Sequence, residues 1–376
     1  MAARIAFFFG NFQGGGVQRV RLSLAREFMA RGIRVDLVVV NAHGDLRKLV
    51  PNEATVVDLG ASRAILALPA LVHYLRAARP AAVLSSQTHH NVIAIIARWL
   101  SRCSTRLVVG EHHNIQEYRQ DSPFAATMQM LGARLFFGRA DAIVAVSKGV
   151  ADALSQASGI QRERIQVINN PITIPEILNK AEEAVSHAWF DQRECPVLIA
   201  IGRLTRQKDF PTLLKTMAIL KTSRKVRLVI LGEGEDEAML RKLVSEYRLD
   251  QNVQLLGFVS NPYAYLSRSD VFVLSSRWEG FPNTLLEALA CGTPVVATDC
   301  PSGPAEMLVN GQYGHLVPVG DPDALAHAID ATLDSPPHSK ILKQRAEDFS
   351  ISVIGKQYVD LLLKQKTEQN AFLGRM

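Results

Sequence analysis

Cysteine is scarce in this chain, and the few that occur are not placed to hold anything. Cys103, Cys195, Cys291 and Cys300 lie far apart, with no C-x-x-C pair and no histidine at metal-ligand spacing. That excludes a zinc framework and favours free thiols in a reducing compartment. No Asp-x-Asp metal motif is recognised along the chain, and there is no low-complexity tract or fixed-period repeat. Long apolar runs are missing too. The richest helical stretches, Ala64–Tyr74 and Asn91–Leu100, fall short of the roughly 20 residues needed to cross a bilayer. The opening MAARIAFFFGNF is apolar for only a few residues before a glycine turn. It reads as a first strand and not as a signal peptide, so a cytoplasmic protein is expected.

What is present is apolar material for two ordinary cores. Of 376 residues 48% are hydrophobic and 21% charged, too many for one core and too evenly spread for disorder. The charge is lopsided: residues 1–175 carry 20 Lys and Arg against 11 Asp and Glu, residues 176–376 carry 22 against 25, giving +9 and −3. The first half either favours an anionic partner or surface or simply displays solvated arginines on helix faces.

Short β-branched runs alternate with stretches of helical period, the pattern of parallel α/β sheets. Strands are expected at Ile5–Phe9, Val35–Val40, Val83–Ser86, Leu107–Gly110 and Ile143–Val146, then at Val197–Ile201, Leu228–Leu231, Val253–Leu256, Val271–Leu274 and Val295–Ala297. Between the first two lies a helix, Val17–Arg31, with Val17, Val20, Leu24 and Phe28 on one face, Arg19, Arg26 and Arg31 on the other, and Gly32 as its stop. After Asn169-Asn170-Pro171 a polar stretch to about Glu194 reads as a connection. The expected domains are 1–175 and 190–350, with a helix over 352–376 free to return to the first.

Three loops at strand ends carry the chemistry. Gly14-Gly15-Gly16 opens the first helix, where backbone amides and the helix dipole suit an anion. The spacing is not G-x-G-x-x-G, and the second strand ends Val39-Val40-Asn41 without an acidic residue, so a nicotinamide cofactor is disfavoured. In the second half Arg203 and Lys208 follow Val197–Ile201, where they could neutralise a diphosphate without a metal. The sharpest signal is Glu279-Gly280-Phe281-Pro282-Asn283-Thr284-Leu285-Leu286-Glu287, a turn entering a helix capped near Asn283. Its two carboxylates could accept hydrogen bonds from the hydroxyls of a sugar and a ribose. Taken singly, a tight turn, surface cations and a solvated helix glutamate would account for each of these features.

Two glutamates separated by seven residues in E-G-F-P-N-T-L-L-E resemble the donor motif of retaining GT-B glycosyltransferases of family 4. The resemblance extends in order through Gly14-Gly15-Gly16-Val17-Gln18-Arg19, Val144–Val150, Asn169-Asn170-Pro171, Gly202-Arg203…Lys208-Asp209, Leu231-Gly232-Glu233-Gly234 and Leu256-Gly257-Phe258-Val259. It implies two Rossmann-like domains facing across a cleft, with closure excluding water. It also implies that Arg203 and Lys208 hold the donor diphosphate, Glu279 the transferred sugar, Glu287 the ribose, and the backbone near Gly257-Phe258-Val259 the base. Gly14 to Gly16, Gly280 to Thr284 and Leu286 would complete the donor site. The family's histidine near the sugar falls in Val109-Gly110-Glu111-His112-His113-Asn114. His112 is preferred over His113, and His89-His90 are structural or acceptor-side.

The implied activity is metal-independent, retaining transfer from a UDP-sugar, with no cofactor and no nucleic-acid partner. A hexose or N-acetylhexosamine would pass to a polyprenyl-diphosphate-linked glycan in cell-surface polysaccharide assembly. The alternatives are a GT-B sugar-nucleotide epimerase, a phosphorylase, or a non-catalytic nucleotide-sugar-binding protein. Asn91–Arg102 and Ala125–Arg139 mix Trp99, Met128, Met130, Leu131, Phe136 and Phe137 with arginines. These helices either fill the core or place the first domain peripherally on anionic lipid at the inner face of the cytoplasmic membrane.

Overall fold

A computed structural model of the chain describes residues 3–114 and 123–364. It divides into two compact units, one of Met1–Val146, Val150–Pro171 and Ile351–Met376, the other of Ser147–Gly149 and Ile172–Ser350.

The first unit is built on seven strands: β1 (Arg4–Phe9), β2 (Arg34–Val39), β3 (Thr55–Asp58), β4 (Ala82–Ser86), β5 (Arg106–Glu111), β6 (Ala142–Ala145) and β7 (Ile165–Val167). They lie in the order β3-β2-β1-β4-β5-β6-β7, and every pairing is parallel. The second unit holds six: β8 (Val197–Ile201), β9 (Arg227–Leu231), β10 (Val253–Gly257), β11 (Val271–Leu274), β12 (Val295–Thr298) and β13 (His315–Val317). Their order is β10-β9-β8-β11-β12-β13, again all parallel. Each sheet reverses its winding once, between β1 and β4 in the first unit and between β8 and β11 in the second. At such a reversal the loops leaving two adjacent strands turn opposite ways and open a crevice.

The helix Gly16–Ala30 turns Val20, Leu24 and Phe28 into the core and leaves Arg19 exposed. It stops before Gly32, whose φ of +77° suits glycine. Three strands that composition did not signal, β3, β7 and β13, each lie at a sheet edge. The stretch after Pro171, expected to be a connection, instead forms the helices Ile174–Ala181 and Ala188–Asp191 of the second unit. They bury Ile174, Ile177, Ala181, Trp189 and Phe190. Pro175 sits in a first helical turn, where its missing N–H costs nothing.

The last described helix, Ile351–Leu363, returns to the first unit. Its Ile354, Tyr358, Leu361 and Leu362 join Phe7, Phe28 and Leu84 in one core cluster, and Arg106 Nε donates to the Leu361 carbonyl at 2.9 Å. At about 1.5–3 kcal/mol per buried large side chain, those four contribute roughly 6–12 kcal/mol, comparable with the whole stability of a domain. Truncation after Ser350 is therefore expected to unfold the first unit while the second still melts cooperatively. Scanning calorimetry checks this, and two intact transitions in the truncated chain would contradict it.

Candidate active site

In the second unit the loops at the carboxyl edge are tied crosswise. Gly202 N donates to the Leu231 carbonyl at 3.0 Å, Leu204 N to Glu233 at 2.9 Å and Gly232 N to Gly257 at 2.8 Å. Gly232 has φ of +138°, and a Cβ there would lie 1.9 Å from the Gly202 oxygen, so only glycine fits. Across the reversal between β8 and β11, Arg277 N donates to the Gln207 carbonyl at 2.8 Å. Ser275 Oγ donates to the Lys208 carbonyl at 2.7 Å, and Gln207 Nε2 to the Trp278 carbonyl at 2.9 Å. Arg277 pairs with the buried Asp209 at 3.1 Å.

This stitching brings Lys208 and Glu279 together. The Lys208 stem lies across Gly202, whose absent Cβ would stand 3.1 Å from Cε. Lys208 Nζ then reaches Glu279 Oε1 at 2.5 Å, and Ser276 Oγ donates to the same oxygen at 2.7 Å. The pair is largely out of water, with side-chain exposures of 16% and 7%. Arg203 is exposed on the preceding loop and forms no ion pair among the described residues.

The Gly280-Phe281-Pro282 turn leads into the helix Asn283–Cys291. Its cap position is Pro282, without a side-chain cap bond, and Asn283 is the first helical residue and not the cap. The first turn of any helix presents N–H groups with no intrahelical partner. Glu287 is half-buried one turn in, with the Tyr263 hydroxyl 3.5 Å from Oε1. Leu286, also expected in the donor site, has a fully buried side chain, so only its backbone could reach a ligand. At the end of β10, Gly257 has φ of +73°, Phe258 N points to Glu233 Oε1 at 3.4 Å, and the Phe258 ring is 65% exposed beside half-buried Val259.

The first unit has its own edge site. A cavity of about 430 Å³ opens at the reversal between β1 and β4, among Gly10, Asn11, Gln18, Gln87, His89 and His90, with Arg63 also at its wall. The glycine loop stands beside it, anchored by buried Phe12, with Gly14 and Gly16 exposed and Gly15 half-buried. Burial and the neighbouring His89 hold His90 down at about 3, and burial lowers His89 as well. Deeper in the edge, His112 is buried and His113 exposed. His112 Nε2 lies 2.8 Å from Arg21 Nη2, and Arg21 Nε donates to Ser86 Oγ at 2.6 Å. Glu111, also buried, accepts from the Thr88 hydroxyl at 2.6 Å.

Sequence reasoning missed Arg21, Ser86, Glu111, Ser276 and Gln207. No residue pattern announces Arg21, Ser86, Glu111 or Gln207, whose partners Ser86, Arg21, Thr88 and Trp278 are distant in the chain, whereas Ser276 lies only three residues from Glu279. The chain does contain an Asp-x-Asp triplet, contrary to expectation: Asp321-Pro322-Asp323. It opens a helix, where Asp321 Oδ1 caps Ala324 N at 2.9 Å. Among the described residues no three His, Cys, Asp or Glu side chains form a metal-binding group. All four cysteines are free.

Two doubly wound units with ligand-type loops at one sheet edge define a GT-B protein, and the comparisons identify an enzyme of that class, a glycosyltransferase. The family described as Glycosyl transferases group 1 matches residues 183–349, and Glycosyltransferase Family 4 matches residues 14–174. A Campylobacter jejuni relative is the N-acetylgalactosamine-N,N'-diacetylbacillosaminyl-diphospho-undecaprenol 4-alpha-N-acetylgalactosaminyltransferase. It is 33% identical over 257 residues, 68% of each chain. The Erwinia amylovora amylovoran biosynthesis glycosyltransferase AmsD is 28% identical over 310 residues, 81% of this chain and 83% of its own. The chain thus belongs to the group 1, family 4 glycosyltransferases. Among solved structures, Anabaena Alr3699/HepE in complex with UDP-glucose matches with a TM-score of 0.78 at 20% identity, covering 96% of this chain and all of its own.

Burial pushes the Glu111 carboxyl up to about 7 from an ordinary 4.5, against the opposing pull of its hydrogen bonds from Thr88 and the backbone of His112 and His113. A carboxyl raised on folding contributes stability that is full below 4.5 and is lost as the pH rises through 7. The buried histidines act oppositely, since their lowered values favour the fold above the ordinary 6.5 and are lost on acidification. Glu111→Gln, which cannot ionise, should therefore gain stability relative to wild type as the pH rises from about 5 to about 8. Urea denaturation across that range checks it, and a pH-independent difference would contradict it.

Proposed function

We propose that the chain is a retaining, metal-independent glycosyltransferase. It moves a hexose or N-acetylhexosamine from a UDP-sugar to a glycan carried on a polyprenyl diphosphate, in cell-surface glycan assembly. The observation that carries this reading is the 2.5 Å Lys208–Glu279 contact at the sheet reversal, with exposed Arg203 on the same edge. A diphosphate arriving there draws Lys208 and Arg203 onto its oxygens, and Glu279, steadied by Ser276, is left to accept hydrogen bonds from the transferred sugar. Glu287 takes the ribose hydroxyls, and the backbone at Gly257 to Val259 takes the base, with the open face of Phe258 beside it.

In this mechanism the bond from the anomeric carbon to the diphosphate oxygen breaks as an acceptor oxygen adds on the same face. The acceptor's proton goes to the departing phosphate oxygen, and UDP leaves. Arg203 and Lys208 stabilise the negative charge that grows on it, the role a metal fills elsewhere. The Campylobacter relative's name specifies an α-linked N-acetylgalactosaminyl residue and a diphospho-undecaprenol acceptor, and the Anabaena complex holds UDP-glucose. Both support the donor and acceptor classes. On the acceptor side, the cavity of the first unit offers amides and uncharged imidazoles suited to sugar hydroxyls, with Arg63 at its wall suited to a phosphate.

Arg63 lies two residues before exposed Ile65 and Leu66, and the same unit exposes Trp99 at 75% and Phe124 at 79%, with Met128, Leu131 and Leu135. Arg102, Arg134 and Arg139 are exposed nearby in sequence. Phe137, expected on this face, is fully buried instead. Such a surface suits peripheral contact with anionic lipid. Among the described residues no helix is long and apolar enough to cross a membrane.

Two outcomes test the reading. Glu287→Ala should weaken UDP binding by roughly 10- to 100-fold, the worth of a charged hydrogen bond. Glu279→Ala frees Lys208 for the diphosphate, so it should leave UDP affinity within about threefold while reducing kcat/KM by about 100-fold or more. Titration calorimetry and turnover assays, both in EDTA, decide the matter. Equal loss of UDP affinity in the two variants, or activity abolished by EDTA and restored by manganese, rejects it. In flotation assays the chain should bind anionic but not neutral liposomes and lose that binding at high salt, and indifference to lipid charge would reject the membrane contact.

A further inference from the structure

Arg21 is a charged side chain where the fold offers it no countercharge. It is fully buried in the helix Gly16–Ala30, and no carboxylate pairs with it among the described residues. Its surroundings are Ser86 Oγ at 2.6 Å, His112 Nε2 at 2.8 Å and the face of Tyr358, whose ring centre lies 5.8 Å from the guanidinium carbon. Gly110 makes the room, since a Cβ there would stand 3.3 Å from Arg21 Nη2. Burying an arginine this way is costly, and among the described residues Nη1 finds no hydrogen-bond partner.

The chemistry of the pair fixes the state of the histidine. A guanidinium has donors and no lone pair to offer, so at 2.8 Å the imidazole Nε2 must accept. Nε2 is then unprotonated, and the ring proton resides on Nδ1, which lies buried beside the Asn170 side chain without a full hydrogen bond of its own. The groups that face His112 are Arg21 from the first helix, Asn170 from the segment after β7, and Glu111 and His113 beside it in the chain. Tyr358 of the returning helix faces Arg21. Burial disfavours a charge on the ring, and the full positive charge of Arg21 in direct contact opposes it further.

We infer that Arg21 is a positioning residue that locks His112 as the neutral, Nδ1-protonated imidazole, so that His112 serves the sugar site as a fixed polar group and never as the acid or base of the transfer. This rests on the proposed glycosyl transfer only for its catalytic consequence. The tautomer itself follows from the contact.

The test uses the full chain labelled with ¹⁵N at histidine, with His112→Asn identifying the signal. In wild type the His112 nitrogens should report a bare Nε2 and a protonated Nδ1, unchanged between about pH 5.5 and 8. Arg21→Leu removes the charge and the donor. Burial still holds His112 below the ordinary imidazole value, but its titration should move up from the wild-type position, its ring proton should no longer be confined to Nδ1, and turnover should fall toward the acid end of this range. Arg21→Lys keeps a cation and should restore the flat profile in part. A wild-type His112 that is protonated at Nε2 or titrates in this range overturns the inference. So does a folded Arg21→Leu with wild-type nitrogen signals and pH profile. If the nitrogen signals behave as expected but no sugar nucleotide is turned over, the inference about Arg21 stands and the proposed function falls.

Discussion

The constraint on which the rest depends is the single reversal of strand order in each sheet. A parallel strand must be re-entered from the far end through a helix, so all its outgoing loops gather at one edge, and only at the reversal do two of them part. In the second unit the loops that part follow β8 and β11, and they carry Lys208 and Glu279. In the first unit the loops follow β1 and β4, and they line the cavity between Gly10 and His90. Each of these polar groups is where it is because the backbone leaves a crevice there. The glycines then set how closely the walls approach, as at Gly232 against Gly202 and Gly10 against His90.

The two crevices handle charge in opposite ways. In the second unit a half-buried cation meets a buried carboxylate, and removing either would leave the other uncompensated in a water-poor place. Under the proposed function, a diphosphate has only to exchange one anion for another around Lys208. In the first unit the buried cation has no anion. Arg21 is held by a hydroxyl, an imidazole lone pair and an aromatic face, while burial drives His89, His90 and His112 toward the uncharged form and raises Glu111.

Much of this was legible in the sequence, for a physical reason. Central strands of a parallel sheet are covered on both faces, so they read as unbroken apolar runs such as Val197–Ile201 and Val271–Leu274, and the expected and observed bounds coincide. The three missed strands are edge strands, and exposed or half-buried residues break the run in Thr55–Asp58 and His315–Val317. The helix Ile174–Ala181 was hidden by Pro175 and its charged outer face, although proline in a first turn opens helices as readily as it ends them. The site divided along the same line. Arg203, Lys208, Glu279 and Glu287 follow strand ends and share a local motif, whereas the Arg21–His112 contact joins residues 91 positions apart and nothing local marks it.

The division of charge between the crevices accords with the two reactants of glycosyl transfer. A nucleoside diphosphate carries formal charge and is held best by cations, and under the proposed function Glu279 is the partner that Lys208 gives up for it. A sugar hydroxyl is neutral, and an edge of fixed charges would hold ordered water that the hydroxyl must displace. Amides and uncharged imidazoles can instead exchange a water hydrogen bond for a hydroxyl one at little cost. The lopsided net charge of the sequence is therefore no guide to either crevice. The arginines of the first half that shape its interior, Arg21 and Arg106, are buried against hydroxyl, imidazole and carbonyl groups. Other arginines of the first half, among them Arg102, Arg134 and Arg139, are exposed.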